Sequence, residues 1–290
     1  MATRRSRHVS HSWPRPWWDN LFDTARGRLP DTAERGVWWW SPPWTDWAGR
    51  DDRIAARVRA ADFRPTPPRP FADLSSTALL TVLRDEDRTY DHLPALRELN
   101  RRPPEPLLLS VVEHLSYAEL HGPLGAALRR LGSAALPTAR RWASTGHPLV
   151  WTAYQVLAAH GDGSDVPALL AGMDWLDHRV DDRCGYNDLA DGLARIGGPA
   201  AASAVPLLRR LWHSPHSYER ASYLRALVAL DPAGAARHLA EGLWDCESEV
   251  RLLAAARAPL DDLTRERLRY LRDDPIETAE VRATAAARLR

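Results

Sequence analysis

Lysine is missing altogether from these 290 residues; all 39 basic side chains are arginine. Coding bias in a GC-rich genome explains this, alanine being abundant too. Arginine number is therefore no sign of phosphate binding, although each guanidinium keeps its fork geometry. Cysteine occurs only twice, at Cys184 and Cys246, with no CxxC pair. That usage fits a reducing, cytoplasmic setting and predicts two unbridged, buried thiols. No stretch approaches 18 consecutive apolar residues, which excludes a membrane-spanning helix. The basic start MATRRSRHVSHSW lacks the apolar run of a secretory signal.

Catalytic and ligand-binding signatures are equally scarce. HExxH, an EF-hand loop, GxSxG, GxGxxG and a glycine-rich phosphate loop are all absent, and no Cys–His arrangement emerges from the order of residues. The segment 173–188 gathers Asp174, Asp177, His178, Asp181, Asp182, Cys184 and Asp188. Its spacing matches no metal geometry, so solvated turn acids are expected. His213 and His216 flank a proline turn, two potential ligands without a third. No catalytic residue, cofactor or metal is expected.

Charge and composition describe a globular protein. Hydrophobic residues make up 44% and charged residues 27%, as in a soluble domain with a substantial core. The net charge of +1 divides into about +5 over residues 1–146 (22 basic, 17 acidic) and −4 over 147–290 (17 and 21). This asymmetry is too mild to announce a nucleic-acid protein.

What the chain does have is tryptophan. Eight of its thirteen lie before residue 70, five of them between Trp38 and Trp47, amid much proline. Proline interrupts helix, so residues 1–70 read as a Trp/Pro-rich arm with no core of its own, containing one short helix over 49–63 that aligns Ile54 with Val58. Left in water, the indoles would form a large apolar patch. The expectation is that the arm packs on the end of the fold that follows; docking into a partner is the alternative.

From about residue 74 apolar residues recur at helical spacing, and no β-alternating run appears. Comparable helix starts fall near His121, Val150, Tyr186, Arg220, Arg251 and Arg282, spaced by 29, 36, 34, 31 and 31 residues. Most are followed by a second amphipathic helix, as in ALPTARRWAST and DVPALLAGMDWLDH. Two helices per roughly 31–36 residues predict an α-solenoid.

The stretch ERASYLRALVALDPAGAARHLAEGLWDCESEVRLLAAARAPL (219–260) resembles HEAT repeats of the short type found in phycobilin lyases. Val250-Arg251 and Val281-Arg282 match the helix start, Asp231-Pro232 and Gly197-Gly198-Pro199 the turn, and Asp245 the closing acid. The resemblance covers residues 116–290, with 71–115 a possible degenerate repeat. It implies an all-α, HEAT-like solenoid of helical hairpins, and it is nearly silent on chemistry.

Trp142, Trp175, Trp212 and Trp244 recur near the end of second helices, 33, 37 and 32 residues apart. Either they fill the seams between repeats, or they form a ladder along the groove that second helices line. The expected function is a non-catalytic interaction module, an adaptor or scaffold binding a protein or peptide. Its groove would present Arg140, Arg141, Trp142, Asp174, Trp175, Asp177, Arg209, Arg210, Trp212, His238, Glu241 and Trp244. Two alternatives accompany it. One is an enzyme like the HEAT-repeat DNA glycosylases, using Trp175 with Asp177 or Trp244 with Asp245 on an alkylated base; the mildly acidic repeat region weighs against gripping nucleic acid. The other is a small-molecule binder.

Overall fold

The computed structural model of the chain describes residues 15–27, 44–62, 69–115, 120–179 and 184–290. Among these residues there are 17 α-helices and no strand, as the periodicity predicts. Among the described residues no helix is long and apolar enough to cross a membrane. The Trp38–Trp40 run, residues 63–68 and the pair Asp181 and Asp182 lie outside the described residues. Two compact units are present, one drawing on 1–68 with 260–290 and the other on 69–259.

In the first unit the arm corrects its expectation. Beyond the expected helix, α3 (Asp52–Asp62), it also forms α1 (Arg15–Gly27) and the single turn α2 (Trp44–Trp47). Pro16 sits in the first turn of α1, where a missing N–H costs nothing. The Asp51 carboxylate accepts from the amides of Arg53 (2.9 Å) and Ile54 (3.3 Å), which starts α3. Phe22, Trp47, Ile54 and Val58 make a small buried core, with Trp47 edge-on to Phe22 at 5.7 Å and to Trp44 at 5.5 Å. Aromatic bulk supplies the apolar area that so few turns of helix would otherwise lack. In the same unit, α16 (Asp262–Asp273) packs on α17 (Ala279–Arg288) through buried Leu268, Leu271, Val281 and Ala285.

The second unit begins with α4 (Ser76–Arg84) packed on α5 (Thr89–Leu99), followed by two 3₁₀ turns (Pro106–Ser110 and Val112–His114). Paired helices then succeed one another: α6 (His121–Arg130) with α7 (Leu136–Thr145), and α8 (Val150–His160) with α9 (Val166–Asp177). Next, α10 (Tyr186–Ile196) is followed by α11 (Gly198–Ala202) and α12 (Val205–Leu211), then α13 (Arg220–Leu230) by α14 (Ala236–Gly242), and last comes α15 (Ser248–Arg257). Four predicted helix starts coincide with observed ones; α15 and α17 begin three residues early. For α17 the cause is Thr278, whose hydroxyl accepts from the Val281 amide at 3.3 Å and so caps the helix ahead of the valine–arginine pair.

The expected second helix ASAVPLLRRLWHS (202–214) is shortened: α11 ends at its first residue, Ala202, and α12 covers only Val205–Leu211. Pro206 has no N–H, and its ring opposes the carbonyl four residues back, so the helix restarts with proline in its first turn. Along the series α6 packs on α8, α8 on α10, α10 on α13 and α13 on α15, while α7, α9, α12 and α14 each lean on the first helix of the next pair. A continuous buried core runs from Leu79 to Ala235.

Candidate functional site

The turns joining successive helix pairs bring the chemistry of 69–259 together. Helix α9 ends at Asp177, and Gly185 (φ 113°) turns the chain into α10. The Tyr186 hydroxyl donates to Asp177 Oδ1 at 2.6 Å, and Arg210, near the end of α12, pairs with Oδ2 of the same carboxylate. Beside them opens a cleft of about 200 Å³, lined also by His213, Ser214, Pro215 and His216 from the α12–α13 turn. Asp177 and Arg210, expected from the sequence, therefore meet here.

Next to His216, outside the cleft lining itself, stands a group that sequence order concealed. Cys184 Sγ accepts a hydrogen bond from the Tyr218 hydroxyl at 2.9 Å and lies 3.8 Å from His216 Nδ1. The His216 ring meets Tyr218 nearly edge-on, 5.8 Å between centroids. Cys184 and His216 are 32 residues apart, close to the spacing between helix starts in the sequence, and that spacing is the signal that points to their meeting. Both cysteines are exposed, which corrects the expectation of buried thiols. They lie in turns between helices, outside the packed faces.

Other expected groove residues serve the scaffold. Arg140 grips Asp165 at 2.8 and 2.9 Å and reaches Asp162 at 3.1 Å. Asp165 is buried, and the Arg140 guanidinium holds its carboxyl below the usual range. Arg141 pairs with Glu113, which also accepts from the Trp142 indole at 3.1 Å and lies 3.1 Å from His147. Trp142 is buried and stacked flat on His147, ring centroids 4.7 Å apart. Arg209 pairs with Asp231. Asp174 is exposed, 3.6 Å from His178.

The four indoles do not form one ladder. Trp142 and Trp212 are buried, Trp175 is half-buried against Trp151 (5.7 Å, nearly parallel) with Arg179 over its ring, and Trp244 is 61% exposed. Trp212 donates to Glu241 and meets His238 edge-on. His238 is 1% exposed, and burial depresses its basicity against the opposing effects of Glu241 and the Gly234 backbone. Similar sequence phase thus yields different depths: Trp212 directly follows α12 and is buried, whereas Trp244 lies two residues beyond the end of α14 and is exposed.

No protein-family model, curated protein or solved structure matches this chain.

Proposed function

We propose that α6 to α15 form a HEAT-like solenoid, and that the protein is a non-catalytic interaction module, an adaptor or scaffold that binds a protein or peptide. The observation that carries this reading is a series of side-chain hydrogen bonds spanning about one repeat. Gln155 donates to Asp188 (33 positions), Ser222 to Asp191 (31), the Gly185 amide to Glu219 (34) and Ser217 to Glu247 (30). Each ties one helix pair to its neighbour, the contact pattern of a stacked array. Ion pairs such as Arg210–Asp177 strengthen the same junctions.

Stacking in series leaves a row of turns at one edge. Residues 184–185, 216–219 and 245–247 adjoin one another through Cys184–His216, Gly185–Glu219, Ser217–Glu247 and the two-pronged Arg220–Asp245 bridge at 2.7 and 2.9 Å. Tyr218 (58% exposed) and Trp244 stand on this row. Aromatic rings of this size, presented beside polar groups, are the usual anchors of protein interfaces.

Affinity purification from cells expressing the full chain tests the proposal, with Trp244→Ser as the comparison. The wild type should recover a partner in stoichiometric amount, and the variant should lose it while keeping the wild-type melting temperature. Recovery of no stoichiometric partner, or equal recovery by the variant, rejects the reading.

A further inference from the structure

The turn before α10 holds Cys184 in a defined place. A Cβ on Gly185 would stand 2.6 Å from Trp151 Cζ2, and φ of 113° suits glycine alone, so the sulfur is presented by a backbone shape that this residue permits. The next turn supplies two groups that face it, the Tyr218 hydroxyl at 2.9 Å and His216 Nδ1 at 3.8 Å. A hydroxyl donor and an imidazole that can take up a proton are what a thiol needs to react as thiolate. His216 also lines the cleft, so the base adjoins a space that a small molecule can enter. The nearby carboxylates are engaged elsewhere: Glu219 accepts from the Gly185 amide and the Tyr223 hydroxyl, both at 2.6 Å, and Asp177 is held by Tyr186 and Arg210.

We propose that Cys184 and His216 form a nucleophilic thiol–imidazole pair that exchanges with a low-molecular-weight disulfide entering from the cleft. This goes beyond the interaction reading and does not depend on it. His216 takes the thiol proton. The Cys184 thiolate attacks one sulfur of the disulfide; a new S–S bond forms as the old one breaks. The departing thiolate recovers the proton from His216. Cys184 is oxidised to a mixed disulfide and one half of the reagent is reduced to a thiol, so no other reactant is required. Acyl transfer is less well served: its oxyanion needs donors, and the Gly185 amide is already given to Glu219.

Cys246 is the comparison thiol. It too is exposed; its close partners are Arg220 (3.1 Å), whose charge is offset by a two-pronged bridge to Asp245, and Glu247 (4.0 Å). The experiment uses the full chain with Cys246→Ser, glutathione disulfide as probe, and intact mass to follow the adduct across a pH series. An ordinary thiol reacts with a midpoint near its pKa of about 8.5. Cys184 should give a midpoint lower by about one unit or more, and His216→Gln should return it toward the ordinary value. Tyr218→Phe should move it the same way by less, which keeps the test alive if the histidine variant fails to fold. In the wild-type chain, peptide mapping should find glutathione on Cys184 before Cys246. An ordinary midpoint for Cys184, a midpoint indifferent to both substitutions, or first modification at Cys246 would overturn the proposal.

Discussion

The indole nitrogen of Trp212 donates to Glu241 at 2.9 Å, a residue 29 positions further along the chain. Trp142 makes the same bond, at 3.1 Å, to Glu113, which lies 29 positions behind it. Two tryptophans of like repeat phase thus reach in opposite directions along the chain, each closing a junction with a carboxylate. A buried indole satisfied in this way contributes both apolar area and a hydrogen bond.

Trp142→Ala should therefore destabilise the protein by about 3–5 kcal/mol, as expected for emptying the site of a buried aromatic ring. Trp244→Ala, at a residue 61% exposed, should change stability by about 0.5 kcal/mol or less. Denaturant titrations of the two variants check the contrast. Equal effects would mean that Trp142 does not carry the junction.

Acid should weaken the ion cluster at the end of α5. Arg69 (2.7 and 3.1 Å), with Arg102 and Arg101 (each 3.2 Å), surrounds the buried Glu98 carboxylate. Arg69 foremost holds its pKa at about 2, against the opposing effect of burial. Because the folded value lies below the unfolded one, the unfolded chain binds the proton more readily. This stabilisation is whole above about pH 4.5 and is lost as pH falls through about 2. Glu98→Gln should cost about 2 kcal/mol at neutral pH and flatten the stability curve over that range. A variant curve parallel to the wild type would refute the assignment.

At Gly192, α10 passes close to the backbone of α8. An added Cβ would lie 2.6 Å from Ala158 Cα and 2.8 Å from its carbonyl oxygen, a backbone that cannot yield as a side chain does. Gly192→Ala should destabilise by about 1–3 kcal/mol despite alanine's better helix propensity. Thermal unfolding by circular dichroism measures it, and a neutral or stabilised variant would show that the two helices have room to part.

Much of the helical plan was readable because it depends on local pattern. Apolar spacing, together with stop signals such as Gly161, Gly197 and Asp231, placed α6, α8, α10 and α13 at their first residues. Pro16 misled: a proline judged a helix breaker is harmless in a first turn, so α1 and the small Phe22–Trp47 core went unforeseen. The candidate site was half legible. Asp177 and Arg210 were named as separate groove residues, but their pairing and the meeting of Cys184 with His216 depend on which turns become neighbours.

Sequence alone determined that this chain is helical and where several of its helices begin, since hydrophobic period and capping chemistry act within a few residues of one another. Tertiary structure decided how deep each repeated tryptophan sits and which arginines are spent on ion pairs. It also decided that an exposed thiol stands beside an imidazole. Those outcomes depend on contacts between residues about 30 positions apart, such as Trp212 with Glu241 and Cys184 with His216, which the local order of amino acids does not encode.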